Sequence, residues 1–147
     1  MSASVADLLK QKGPAVHTID QQATVFEAIK EMVEKNVGSL VVMDGEKVAG
    51  IITERDYLRR IVLEGRTSRQ TPVKEVMTTR LVEVDPAVEI EQCMSIMTRE
   101  RIRHLPVIAD GKLAGIISIG DVVKYLSRER AAEIRYLTDY ISGKYPG

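Results

Sequence analysis

One stretch of this 147-residue chain is written twice. Shifting the sequence against itself by 65 positions aligns Val16–Ile61 with Leu81–Leu126 without a gap. Identical pairs include Asp20/Asp85, Met32/Met97, Leu40/Leu105, Val42/Val107, Lys47/Lys112, Ala49/Ala114 and Asp56/Asp121. The runs Gly50-Ile51-Ile52 and Gly115-Ile116-Ile117 coincide residue for residue. Other pairs keep their character, as in Val37/Ile102, Thr53/Ser118 and Arg59/Lys124. Internal self-similarity at a fixed period marks a duplicated supersecondary unit. A unit of about 60 residues buries too little apolar surface to be stable alone. The two copies must therefore pack on each other, and approximate two-fold symmetry with sheet facing sheet satisfies both at once.

The order of elements within a copy follows from hydrophobic period. A short apolar strand is expected near Val16–Ile19, and again near Leu81–Val84. Val25, Ala28, Ile29, Met32 and Val33 then recur at helical spacing, and Ile90, Cys93, Met94 and Met97 repeat the stripe. These methionines and Cys93 read as core. Thr24 with Glu27 forms a capping box that opens the first helix. Two strands follow, Leu40–Met43 and Val48–Thr53, turning through Asp44-Gly45; the partner hairpin turns through Asp110-Gly111. A second helix begins near Glu54 and near Ile119. The fold class is α/β: two β-α-β-β-α repeats with pseudo-two-fold symmetry, plus a C-terminal helix. The expected units are residues 5–65, a polar linker at 66–72, residues 73–127 and a C-terminal helix at 128–143.

Composition narrows the function classes. Lys plus Arg equals Asp plus Glu at 21 each, so no global field recruits nucleic acid or an anionic membrane. Affinity for phosphate must come from a local cluster. Cys93 is the only cysteine, which excludes an internal disulfide and a C-x-x-C metal site, and two histidines are too few for most metal constellations. No apolar run approaches the ~20 residues that span a bilayer. Met1–Lys10 lacks a signal-peptide pattern, so a cytoplasmic compartment is the expectation.

The sharpest repeated string is Gly50-Ile51-Ile52-Thr53-Glu54-Arg55-Asp56, matched by Gly115 through Asp121 with Ser118 in place of Thr53. A glycine in the strand lets a flat base approach the backbone. A hydroxyl at the strand end and the free N–H groups of the helix start suit a phosphate. An acceptor-only carboxylate in the first helical turn suits two ribose hydroxyls. The same Thr/Ser-x-x-Asp spacing is also a helix-capping signature that needs no ligand. A second cluster separates the copies. Arg101-Ile102-Arg103-His104-Leu105-Pro106 precedes one hairpin, where the other has Asn36-Val37-Gly38-Ser39-Leu40. Arg103 offers a planar fork to phosphate oxygens, and under two-fold packing it lies near the cleft that receives Arg55. A surface salt bridge for Arg103 and an ordinary histidine role for His104 are the alternatives.

Taken together, these strings resemble a stand-alone tandem pair of cystathionine-β-synthase (CBS) domains. The resemblance runs from Val5 to about Leu126 and includes Val76-Met77-Thr78. It implies two copies forming one compact pair, and usually two pairs forming a dimer. It further implies an adenosine ligand: AMP, ADP or ATP most often, with NAD(H) or S-adenosylmethionine in some members. By that likeness Asp56 and Asp121 hold ribose, while Thr53 and Ser118 touch phosphate. The starts of the middle strands, Val37-Gly38-Ser39 and Arg103-His104 with Pro106, flank base and phosphate. The segments before each first strand add Thr78 and Arg80, and Lys12. The copies are unequal, since Gly38-Ser39 lacks basic residues and Gly120 stands where copy one has Arg55. Unequal affinities are expected, with the second copy favoured for phosphate.

The expected function is a regulatory adenine-nucleotide sensor acting through a homodimer, with an unknown regulated partner. A structural dimerisation module with vestigial sites is the alternative. No Ser/His/Asp, Cys/His or paired-carboxylate constellation repeats in the chain, so an enzyme is not expected. The C-terminal stretch places Ile134, Leu137 and Ile141 on one face, with Gly143 and Pro146 as stop signals. That face packs on its own core or serves as a dimer contact or lever.

Overall fold

The computed structural model describes residues 3–13 and 16–141, and past Ala131 only the backbone path. Copy one contains β1 (Thr18–Asp20), α2 (Val25–Lys35), β2 (Ser39–Asp44) and β3 (Lys47–Thr53), preceded in the chain by a helix α1 (Val5–Lys12). A turn of α-helix, α3 (Glu54–Asp56), then continues as a π-helix over Tyr57–Val62. Copy two contains α4 (Ile90–Glu100), β4 (His104–Ala109), β5 (Lys112–Ser118) and α5 (Ile119–Ile141). β1 pairs parallel with β2, and β2 and β4 pair antiparallel with β3 and β5 in matching registers, bulges included. One face of each hairpin packs on its helices. Leu40, Val42 and Ile52 join Val25, Ala28 and Met32; Leu105, Val107 and Ile117 join Ile90, Cys93 and Met97. The opposite face is buried as well, through Ser39, Val41 and Ile51 on one copy and Pro106 on the other.

The copies exchange segments. The core of copy one is completed by Val73 and Val76, and that of copy two by Val5 and Leu8. The hydrogen bonds that dock these segments are the same twice over. Val73 N–H donates to Ala23 O (2.7 Å) as Val5 N–H does to Val88 O (2.8 Å). Lys74 N–H donates to Gln21 O as Ala6 N–H does to Pro86 O. Thr71 O accepts from Val25 N–H at the start of α2, and Ala3 O accepts from Ile90 N–H at the start of α4. Each helix thereby satisfies an orphan donor with backbone from the stretch before the other repeat. A boundary drawn between the repeats along the chain is not a boundary in space. The linker is ordered too, with Thr71 buried and Ser68 O accepting from Phe26 N–H.

Several local expectations change. The first strand of copy two is reduced to a single bridge, Val84 to Val107. In copy one the Val41 N–H donates to His17 O at 3.1 Å; the matching position in copy two is Pro106, which has no N–H to give. The first hairpin turns through Gly45-Glu46, because Asp44 is already paired with Lys47. In the second, Asp110 and Gly111 both take positive φ, as expected of that dipeptide. Val33, assigned to the buried stripe, is 75% exposed. The C-terminal helix is the unbroken continuation of α5, not a separate element at 128–143. The side chains of Ile134, Leu137 and Ile141, and the stop signals Gly143 and Pro146, lie outside the described residues.

Candidate functional site

Each hairpin ends where a helix begins, and the two sequence clusters meet there. Glu54 N–H donates to Gly38 O (3.1 Å) and Ile119 N–H donates to Arg103 O (2.9 Å). The start of the middle strand is thus bonded to the first helical residue in both copies. Ser39 lies opposite Thr53, and His104 opposite Ser118. The hydroxyl and carboxylate form complete capping boxes. Thr53 N–H donates to Asp56 Oδ2 (3.0 Å) and Asp56 N–H to Thr53 Oγ1 (3.1 Å). Ser118 N–H donates to Asp121 Oδ2 (2.9 Å) and Asp121 N–H to Ser118 Oγ (3.0 Å). The capping role is therefore real at both positions, and it also fixes where each carboxylate points.

What each carboxylate meets beyond its cap differs. In copy one the Thr78 hydroxyl donates to Asp56 Oδ1 at 3.1 Å. In copy two the Lys12 ammonium stands 2.7 Å from Asp121 Oδ2 and 2.7 Å from the Ile116 carbonyl oxygen. Burial alone would raise the Asp121 pKa. The hydrogen bonds from Lys12 and from Ser118 outweigh it and hold the carboxyl below its ordinary value. His104 is half-buried, and burial pushes its pKa down; Asp121 opposes the shift, while Lys12 and Arg103 add to it. At neutral pH His104 is therefore an uncharged donor and acceptor. Lys12 supplies the charge instead. Lys12 and Asp121 also line a cavity of about 280 Å³ between α1 and α5, together with Lys124 and Arg128.

The copies touch at these sites. A Cβ built on Gly38 would lie 3.8 Å from His104 Nε2 and 3.4 Å from Glu54 Oε1. Two seats result. One gathers Gly38, Ser39, Thr53, Asp56 and Thr78; the other gathers Lys12, Arg103, His104, Ser118 and Asp121. Val37 packs against the copy-one core, and Pro106 is buried within β4. The Arg55 and Arg80 side chains are exposed, as is that of Arg103. The glycines of the repeated string serve packing as well. A Cβ on Gly50 would fall 2.6 Å from Thr78 O, and one on Gly115 would fall 2.9 Å from Leu9 Cδ2. Sequence reasoning did not include the Ile116 carbonyl, because a backbone acceptor carries no residue signature. Glu54 also faces Gly38.

A CBS domain family model matches residues 5–63 and 73–128. The chain belongs to the CBS domain family. Among CBS relatives, the mitochondrial CBS domain-containing protein CBSX3 of Arabidopsis thaliana is 42% identical, covering 98% of this chain and 74% of that one. A CBS-domain protein from Burkholderia ambifaria, for which a signal-transduction role has been suggested, is 46% identical. It superposes with a TM-score of 0.81 over 84% of this chain and 93% of its own. The hexameric CBS-CP12 protein of bloom-forming cyanobacteria is 30% identical, with a TM-score of 0.75 over 84% of this chain and 71% of its own. The fold is that of a CBS pair. Among the described residues no helix is long and apolar enough to cross a membrane.

Proposed function

We propose that this CBS pair is a non-catalytic regulatory module that binds adenine nucleotides in two unequal seats. Occupancy then alters the geometry of an assembly of its own copies, of which a homodimer is the simplest. AMP or ATP is the favoured ligand class, with NAD(H) and S-adenosylmethionine as further adenosine-bearing candidates. One observation carries the reading. In both copies the carboxylate at the helix start also bonds the segment that crosses from the other repeat, Thr78 to Asp56 and Lys12 to Asp121. Ribose hydroxyls that take the carboxylate compete with that tie. A ligand therefore favours one arrangement of the crossing segment over another, which is the requirement for regulation. The suggested signal-transduction role of the Burkholderia relative and the hexameric state of the cyanobacterial one support the same direction.

The test is isothermal titration of the protein with AMP, ATP, NADH and S-adenosylmethionine, combined with light scattering for assembly size. Binding of at least one ligand, weakened tenfold or more by Asp56→Ala or Asp121→Ala, is the expected result. Turnover of AMP or ATP above a buffer control would overturn the non-catalytic part. A scaffold reading has two observations in its favour: both carboxylates are already engaged in caps, and Val33, Leu58 and Leu63 leave apolar surface for self-association. No heat with any ligand, together with a stable oligomer, establishes the scaffold instead. A cytoplasmic location is part of the proposal; the Arabidopsis relative is mitochondrial, and cell fractionation decides between the two compartments.

A further inference from the structure

We infer that Lys12 is a specificity-determining residue: a tethered cation in the copy-two seat that makes this site demand phosphate on any nucleoside it admits. The inference rests on the nucleotide reading above. In copy one, Thr78 meets the strand with two neutral groups. Its backbone N–H donates to Ile51 O at 2.8 Å, and its hydroxyl donates to Asp56 Oδ1 at 3.1 Å. In copy two, the segment docked in the same way stays helical through Lys12, and among the described residues Ile116 has no such strand partner. The Lys12 ammonium makes both bonds by itself, to Ile116 O and to Asp121 Oδ2, each at 2.7 Å. One charged group stands where two neutral ones stand in the other copy.

The chemical consequence is a difference in what a ligand must bring. At Asp56, ribose hydroxyls displace a neutral hydroxyl, and nothing charged is left behind. At Asp121 they displace an ammonium that loses its counterion. Adenosine offers that ammonium no replacement. A phosphate does, whereas Arg103, Lys124 and Arg128 near Lys12 and Asp121 are cations that offer the displaced ammonium no counter-charge. The side chain has room to swing. Lys12 is the last residue of α1, its side chain is 31% exposed, and the helix stays anchored in the core by Val5 and Leu8. Discrimination of this kind arises by penalising the wrong ligand.

The experiment reads copy two alone by titrating an Asp56→Ala protein with adenosine and with AMP, with and without Lys12→Met. AMP is expected to bind about a hundredfold tighter than adenosine, and Lys12→Met is expected to shrink that ratio about tenfold, chiefly by tightening adenosine. An unchanged ratio, or adenosine that weakens, overturns the inference while leaving the nucleotide reading in place. So does a wild-type protein that binds AMP when Asp56→Ala does not, because copy two then takes no nucleotide. Wild type that binds neither ligand overturns both. Thr78→Lys in an Asp121→Ala background is the converse variant, expected to impose the phosphate demand on copy one. A ligand-independent check is the Asp121 carboxyl titration by carbon NMR. It is expected to move to higher pH in Lys12→Met, and an unmoved titration removes the ion pair and the inference with it.

Discussion

Copy one receives its crossing segment as a single 3-10 turn, Val73–Glu75, followed by Thr78 bonded in both directions to Ile51. Copy two receives its segment as a capped helix of 8 residues, in which Ser4 and Asp7 close a capping box. The docking bonds are identical, so the divergence begins only after the segment has been placed. Ser4-x-x-Asp7 nucleates a helix that Leu8 then anchors in the core. In the other segment Val76, Thr78 and Thr79 include three β-branched residues, which favour extended backbone. A helix carries its bonding groups inward and cannot pair with a strand edge, so a long side chain has to reach back. A duplicated frame thus ties one carboxylate to a neutral hydroxyl and the other to an ammonium without any change in the repeated Gly-Ile-Ile string.

Loosening a crossing segment removes the difference between the copies at its origin. Leu8→Ala, at a site 2% exposed, is expected to cost about 3 kcal/mol in urea unfolding. Hydrogen exchange should place the loss in β4 and β5. Equal loss of protection in β2 and β3 would mean that α1 does not belong to copy two. Next comes the glycine pair. Gly50→Ala drives a methyl into the backbone oxygen of Thr78, whereas Gly115→Ala meets only the end of the Leu9 side chain. The expected costs are about 3 and about 1 kcal/mol. Similar values for both would show that the Thr78 pairing is no tighter than the packing on Leu9.

The smallest effect is a pH dependence confined to copy two. The folded-state pKa of His104 lies below its ordinary 6.5, chiefly through burial. As pH falls, the unfolded chain binds that proton first. The contribution is complete above pH 6.5, and stability declines as pH drops from 6.5 toward the folded value. His104→Gln is expected to flatten that decline in Tm measured between neutral pH and the onset of carboxylate titration. The same slope in the variant would assign the effect elsewhere. Asp121 acts lower on the scale. Its depressed pKa stabilises the fold above the ordinary 3.8, and the contribution is lost as pH falls from there through the folded value.

Much of the frame was legible. The helical stripes placed Met32, Cys93 and Met97 in the core, and the capping boxes at Thr24, Thr53 and Ser118 all formed. The strand and docking outcomes were decided by groups distant in the chain. The Leu81–Val84 strand collapsed to one bridge because of Pro106, a residue on the neighbouring strand. Val33 stayed exposed because the stripe of α2 is narrower than its apolar content. Helix α1 carried a capping box that could have been read, yet nothing local indicates which copy it completes.

The duplication, the helix-hairpin-helix order of each repeat and the position of each carboxylate follow from sequence alone, because period, turn and cap act within a few residues of one another. That the copies differ is already written in Gly38-Ser39 against Arg103-His104, but which cation stands at the Asp121 carboxylate needed the tertiary structure. Lys12 and Asp121 lie 109 positions apart, and only the crossing of α1 onto copy two brings the ammonium to that carboxylate. Coulomb and hydrogen-bond energies depend on distance in space, and a repeat read along the chain carries no record of that distance.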